Sequence, residues 1–155
     1  MSNIIDDFAV TEVELIYRGG NPVCKNIRIN SSEQCFKVLK NVWNENRIHL
    51  LEEFKLIMLD NDASVLGVSN ISTGAINACF ADPRVIFATA LTARAVAIIV
   101  AHNHPSTALN PSEADKKLTS KLVDIGKLLD IKVQDHLIVT SDKYYSFADD
   151  GMMPS

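Results

Sequence analysis

His102 and His104 stand one residue apart at the end of the apolar run AIIVA (97–101), and Asp115 follows eleven residues after the second. On an extended strand, residues two apart point to the same side, so the pair can present two imidazoles toward one point. A catalytic zinc takes three protein ligands and keeps one position for water, so a third donor is needed nearby. Pro105 and Pro111 turn the chain, and a helix opening near Ser112 carries Asp115 in its first turn, facing back toward the strand end. The same residues have a plainer reading. An H-x-H pair is often polar surface at a strand end, and Ser112-x-x-Asp115 is a serviceable capping box. The two prolines and the aspartate bring the pieces to one place in space, where capping and ligation can coexist.

The elements that must position these residues are legible in outline. The segment AVAIIVA (95–101) reads as a central strand leading into the histidines. Leu118, Leu122, Ile125 and Leu129 mark the helix that starts at Ser112. Upstream, Ser31-Ser32-Glu33-Gln34 has the pattern of a helix start, with Cys35, Leu39, Val42 and Trp43 following at helical spacing. After the polar stretch NENRIH, the segment EFKLIMLD reads as a buried strand, Asp60-Asn61-Asp62 as a turn and ASVLGVSNI as its partner. Pro83 suits a first helical turn, so 83–94 is expected as a helix, and IKVQDHLIVT and YYSFA as two closing strands. At the front, VTEVELIYR, a Gly19-Gly20-Asn21-Pro22 turn and VCKNIRI predict an opening hairpin over 10–29. The expected fold is α/β in the sense of a mixed sheet flanked by helices. Its divisions would be a hairpin extension at 1–30 packed on a domain at 31–150, and a tail at 151–155.

The whole chain sets bounds on function. With 155 residues, 47% apolar and 22% charged, it matches one soluble domain able to bury a core. Cys24, Cys35 and Cys79 are odd in number and lack C-x-x-C spacing, which argues against disulfides or a thiolate zinc site. The acidic start MSNIIDDFAV differs from a basic signal peptide, and no apolar run nears the roughly 20 residues that span a bilayer. A cytoplasmic location without a membrane span is the expectation. A net charge of −4 gives no general attraction to phosphate backbones, and Lys116, Lys117 and Lys121 read as a solvated helix face. His49 reads as surface, and His136, on a different strand, as a structural histidine rather than a fourth ligand.

His102-x-His104-Pro105 followed by Ser112-x-x-Asp115 resembles the JAMM motif of MPN-domain metalloproteases, and HNHPS, PSEAD and DHLIV (135–139) are closer still to the bacterial RadC family, named for DNA repair. The resemblance runs from about Ser31 to Phe147. It implies an MPN/JAB fold with a three-layer arrangement like that of cytidine deaminases. It also implies one Zn2+ per chain held by His102, His104 and Asp115, and a glutamate general base at the head of the strand after the first helix. By position that base is Glu53. Strand alternation lets only one of Glu52 and Glu53 face the metal, with Glu53 preferred because it abuts the apolar strand. The motif serine, Ser112, would help stabilise an oxyanion, unless it serves only as a helix cap.

The activity so implied is hydrolysis of peptide or isopeptide bonds by metal-activated water, acting on a peptide or protein. Two other readings compete with it: a DNA-associated accessory or nuclease-like protein, and a scaffold that binds partners without activity. The chain departs from the family pattern between its second histidine and Ser112, where STALNP replaces a glycine- and aspartate-containing loop. It also opens with the expected hairpin in place of the DNA-binding helices of longer relatives.

Overall fold

The structure is a computed structural model that describes Glu14, Ile16, residues 27–74 and residues 80–155. The hairpin expected over 10–29 therefore lies outside the described residues except for Glu14, Ile16 and its end, and Cys24 and Cys79 lie outside them too. There Arg28 bridges Ser64, and Val65 donates its N–H to Ile27 O at 2.8 Å. Helix α1 (Ser32–Val42) is capped by Ser31, whose side chain accepts from Gln34 N, while Gln34 Oε1 reaches back to Asn30 N at 2.7 Å. Two antiparallel strands follow, β1 (Glu53–Leu59) and β2 (Val65–Thr73).

Helix α2 (Pro83–Thr92) begins at an Asp82 cap with proline in its first turn and stops two residues earlier than the sequence pattern predicts. Arg94 ends it in the left-handed region, φ 58°. Strand β3 (Ala97–Asn103) starts and ends two residues later than expected. His102 is therefore part of the strand proper and not of a loop behind it. Helix α3 (Glu113–Leu129), β4 (Lys132–Val139) and β5 (Tyr144–Ser146) complete the chain. Among the described residues, no helix is long and apolar enough to cross a membrane.

The five strands form one mixed sheet in the order β2-β1-β3-β4-β5, with β3 and β4 parallel and joined through α3, and the other neighbours antiparallel. Helices cover both faces, as the expected three-layer α/β fold requires. Phe54, Leu56, Met58, Ile98 and Val100 face α2 and α3, meeting Ile86, Phe87, Ala90 and Leu122. Ile57, Leu59, Ile99, Ala101 and Leu137 face α1, meeting Cys35, Phe36, Leu39 and Trp43. Every residue of β1 and β3 is buried, each large apolar one contributing about 1.5–3 kcal/mol. The central strand that carries the histidines is thus held from both edges and both faces.

Candidate metal centre

His102 lies opposite Phe54 in the β1–β3 ladder and shares the face of Ile98 and Val100, toward α2 and α3. Its ring is 2% exposed, parallel to that of Phe54 with centroids 6.1 Å apart. His104 follows two residues later, with its N–H donated to Val139 O at 3.3 Å. The two Nε2 atoms stand 2.9 Å apart. Asp115 reaches them from the first turn of α3, with Oδ1 3.3 Å from His102 Nε2 and Oδ2 3.8 Å from His104 Nε2. Donors about 2.0–2.2 Å from one tetrahedral ion stand roughly 3.3–3.6 Å apart, and these three separations bracket that edge.

The capping box is also formed. Ser112 Oγ accepts from Asp115 N at 3.1 Å, and Ser112 N donates to Asp115 Oδ2 at 2.7 Å. Capping and convergence on the histidines coexist in one carboxylate, because the cap aims it and leaves Oδ1 facing His102.

The hydrogen bonds behind the rings fix where the imidazole protons sit. Thr119 Oγ1 donates to Asp115 O at 2.7 Å, so it can only accept from His136 Nδ1, also 2.7 Å away. Full burial pushes the His136 pKa far down, and the nearby His102 adds to that, so His136 is neutral and its Nε2 is an acceptor. His102 Nδ1, 2.8 Å from that acceptor, must carry its proton. Likewise His104 Nδ1 faces the carbonyl of Ala108 at 2.6 Å and donates to it. With Nδ1 of each ring engaged as a donor, the neutral form of either ring leaves its Nε2 bare, and the two Nε2 atoms face each other and a carboxylate. Burial pushes the Asp115 carboxyl up, yet His102 and the Ser112 backbone N–H and hydroxyl hold it, on balance, well below the usual carboxylate range. Two lone pairs and an anion at this spacing call for a cation between them. The donor set, two nitrogens and one oxygen, is one that zinc accepts.

Among the described residues, the glutamate that joins the two histidines is Glu52. An oxygen of Glu52 and ring nitrogens of His102 and His104 all lie within 4.8 Å of one another. Burial raises the Glu52 pKa, with His102 and His104 opposing and Asp115 assisting. The expectation for Glu53 is corrected here. Glu53 has the parity of Lys55 and Ile57, so it points to the α1 side of the sheet. There it pairs with Arg47 and, at 3.3 Å, with Lys55, whose Nζ sits 4.8 Å from the Trp43 ring. The alternation argument stands, but the choice of partner is reversed. Lys55, two residues along on the same face, was the signal for it.

His136 is not among the converging donors but stands directly behind His102, stacked on Phe147 at 4.8 Å. Ser112 is exposed at the mouth of the site. His49 is exposed and lines a separate cavity of about 320 Å3 on the α1 side, with Phe36, Trp43 and Val139. The sequence reading left out Thr119 and Asn103. Asn103, the residue between the two histidines, is fully buried on the α1 side.

A model of the RadC-like JAB domain matches residues 29–152. A UPF0758 protein of Flavobacterium johnsoniae is 40% identical over 130 residues, covering 84% of this chain and 56% of its own length. The UPF0758 protein YkfG of Escherichia coli is 43% identical over 111 residues, 69% of this chain and 70% of that protein. A UPF0758 protein of Alkaliphilus metalliredigens is 38% identical over 126 residues, 81% of this chain and 53% of its own. The chain thus spans about half the length of two of these three relatives.

Proposed function

The chain belongs to the RadC-like JAB domain family, and from that premise we propose that it is a zinc-dependent hydrolase of peptide or isopeptide bonds. The observation that carries this reading is the pair of imidazole Nε2 atoms 2.9 Å apart beside the Asp115 carboxylate. His102, His104 and Asp115 would hold the ion, leaving a position free for water. Zinc there would supply an acidified water, its pKa brought from about 15.7 toward 7, and would polarise the substrate carbonyl.

The remaining steps belong to the chain. Glu52, with its raised proton affinity, takes the proton of the attacking water and returns it to the leaving amine. Ser112 Oγ, an acceptor at the helix cap, keeps its own hydrogen to donate to the developing oxyanion. Phe54, Phe147 and the sheet exclude water behind the rings, which strengthens each charge interaction in front of them.

The net charge of −4 supplies no general attraction to a phosphate backbone, so it does not favour the DNA-associated reading over this one. A scaffold without activity would have no need for a complete donor set backed by fixed tautomers. The test is the metal content of protein purified without chelators, together with cleavage of a library of fluorogenic peptides and isopeptides by the wild type and by Glu52→Gln. Stoichiometric zinc with Glu52-dependent cleavage is expected. Protein that carries no zinc, and whose melting is unmoved by added zinc, would end the proposal.

A further inference from the structure

Asn103 sits between the two histidines, yet alternation turns its side chain through the sheet to the α1 side, where it is fully buried. Three of the four hydrogen-bonding positions of its side chain are used there. Oδ1 accepts from Glu53 N at 2.7 Å, and the two hydrogens of Nδ2 go to Ile48 O at 2.7 Å and Leu51 O at 2.8 Å. The regular β1–β3 ladder ends at the Phe54–His102 pair, and the amide of Asn103 supplies the next rung. It also satisfies two carbonyls at the end of the helical turn at 47–51, where Leu50 N and Leu51 N both bond to Arg47 O. Glu52 lies between Leu51 and Glu53, both gripped by this one side chain, and its own carbonyl accepts from Gly74 N at 2.8 Å.

We propose that Asn103 is a positioning residue that sets the backbone of Glu52, and so the placement of the Glu52 carboxylate over the metal centre; this rests on the reading given under Proposed function. The chemistry at this position is demanding. Only a short carboxamide offers one acceptor and two donors on a stem that fits a strand; aspartate lacks the donors, and serine reaches one partner. The histidine rings are held independently of it, on the other face, by Phe54, His136 and the Ala108 carbonyl. Loss of the Asn103 amide therefore displaces Glu52 while the ion-binding nitrogens keep their places.

The experiment uses the full chain loaded with cobalt(II) in place of zinc, reading cobalt affinity and the pH midpoint of its visible spectrum. Glu52→Gln gives the reference shift of that midpoint. Asn103→Ser is expected to shift it in the same direction by at least half as much, with no further shift in the Asn103→Ser/Glu52→Gln double variant. Cobalt affinity should stay within about tenfold of wild type, below the loss usual for direct partners of a ligand. Asn103→Asp, which keeps the shape and the acceptor, serves if the serine variant does not fold. A folded, cobalt-loaded variant with the wild-type midpoint overturns the inference. So does a shift that adds in full to that of Glu52→Gln, because the effect would then run through the histidines. Wild-type protein that takes up no cobalt instead overturns the metal reading, and this inference with it.

Discussion

Replacing His136 with leucine tests whether the proton arrangement behind the site is what makes it a metal site. In the native chain, His136 Nε2 accepts from His102 Nδ1 at 2.8 Å, with both rings all but inaccessible to water. Leucine fills much of the same space against Phe147 and Phe54 but accepts nothing. His102 then gains by moving its proton to Nε2, where it can donate to Asp115 Oδ1 across the existing 3.3 Å gap. An incoming ion would have to displace that proton. Loss of such an outer partner lowers metal affinity about 10–100-fold, which is about 1.4–2.7 kcal/mol. The metal-free fold loses the two hydrogen bonds of His136, to His102 and to Thr119, and regains one from His102 to Asp115, a net loss of about 1 kcal/mol that lowers the melting temperature by about 2–4 °C. The effect on zinc should therefore exceed the effect on stability. Competition against a chromophoric chelator at pH 7.5, paired with thermal melts of chelated protein, separates the two. A zinc dissociation constant within about threefold of wild type in a folded His136→Leu protein would refute the tautomer argument.

Further outcomes follow from the same geometry. Glu52→Gln should slow amide hydrolysis by about 10²–10⁴ with zinc still bound, as read by single-turnover kinetics and metal analysis. Glu53→Gln should leave zinc affinity unchanged but lower the urea midpoint, because the largely buried Lys55 loses its anion. The loss is about 2–3 kcal/mol, below that of a fully buried pair because the Arg47 side chain is 42% exposed. A hydrolytic defect in Glu53→Gln equal to that of Glu52→Gln would reverse the assignment of the base. Ser112→Ala should cost about 1 kcal/mol of stability through the lost cap and about 10²-fold in hydrolysis; an unchanged rate would leave the serine a cap alone. The His136 pKa is lowered in the fold, so the native state binds fewer protons than the unfolded chain, and this contribution is present above about pH 6.5 and lost as the pH falls below it. Denaturation of chelated protein between pH 7.5 and 5 should show that decline, flatter in His136→Leu.

How much of this could be read from the residues follows from which patterns are local. The H-x-H pair and Asp115 are local features, fixed by a period of two on a strand and by cap spacing on a helix, and the structure brings all three together. The phase of β1 is not local. EFKLIML is buried on both faces, so its apolar residues do not reveal which parity faces the histidines; that depends on the pairing of Phe54 with His102, set by chain 48 residues away. The tie between His136 and His102 depends on the parallel register that places Val100 beside His136, which no turn between the strands dictates. Asn103 escaped notice because its side chain works on the other face from its two neighbours. The shifted ends of α2 and β3 reflect the left-handed Arg94, a stop without a glycine to announce it.

The place of the histidines on the middle strand also sets an order of assembly. β3 is flanked by β1 and β4, and its contacts join segments 53–59, 97–103 and 132–139, so the donors converge only after distant parts of the chain have met. Such non-local pairing is the slow part of folding, and an ion cannot nucleate it as it does in a zinc finger, where ligands lie close in sequence. Zinc would arrive at a finished cradle and add RT ln(1 + [Zn]/Kd) to a fold already standing. The refolding rate should then be indifferent to zinc while the unfolding rate falls with it, the kinetic signature of a late-binding ion.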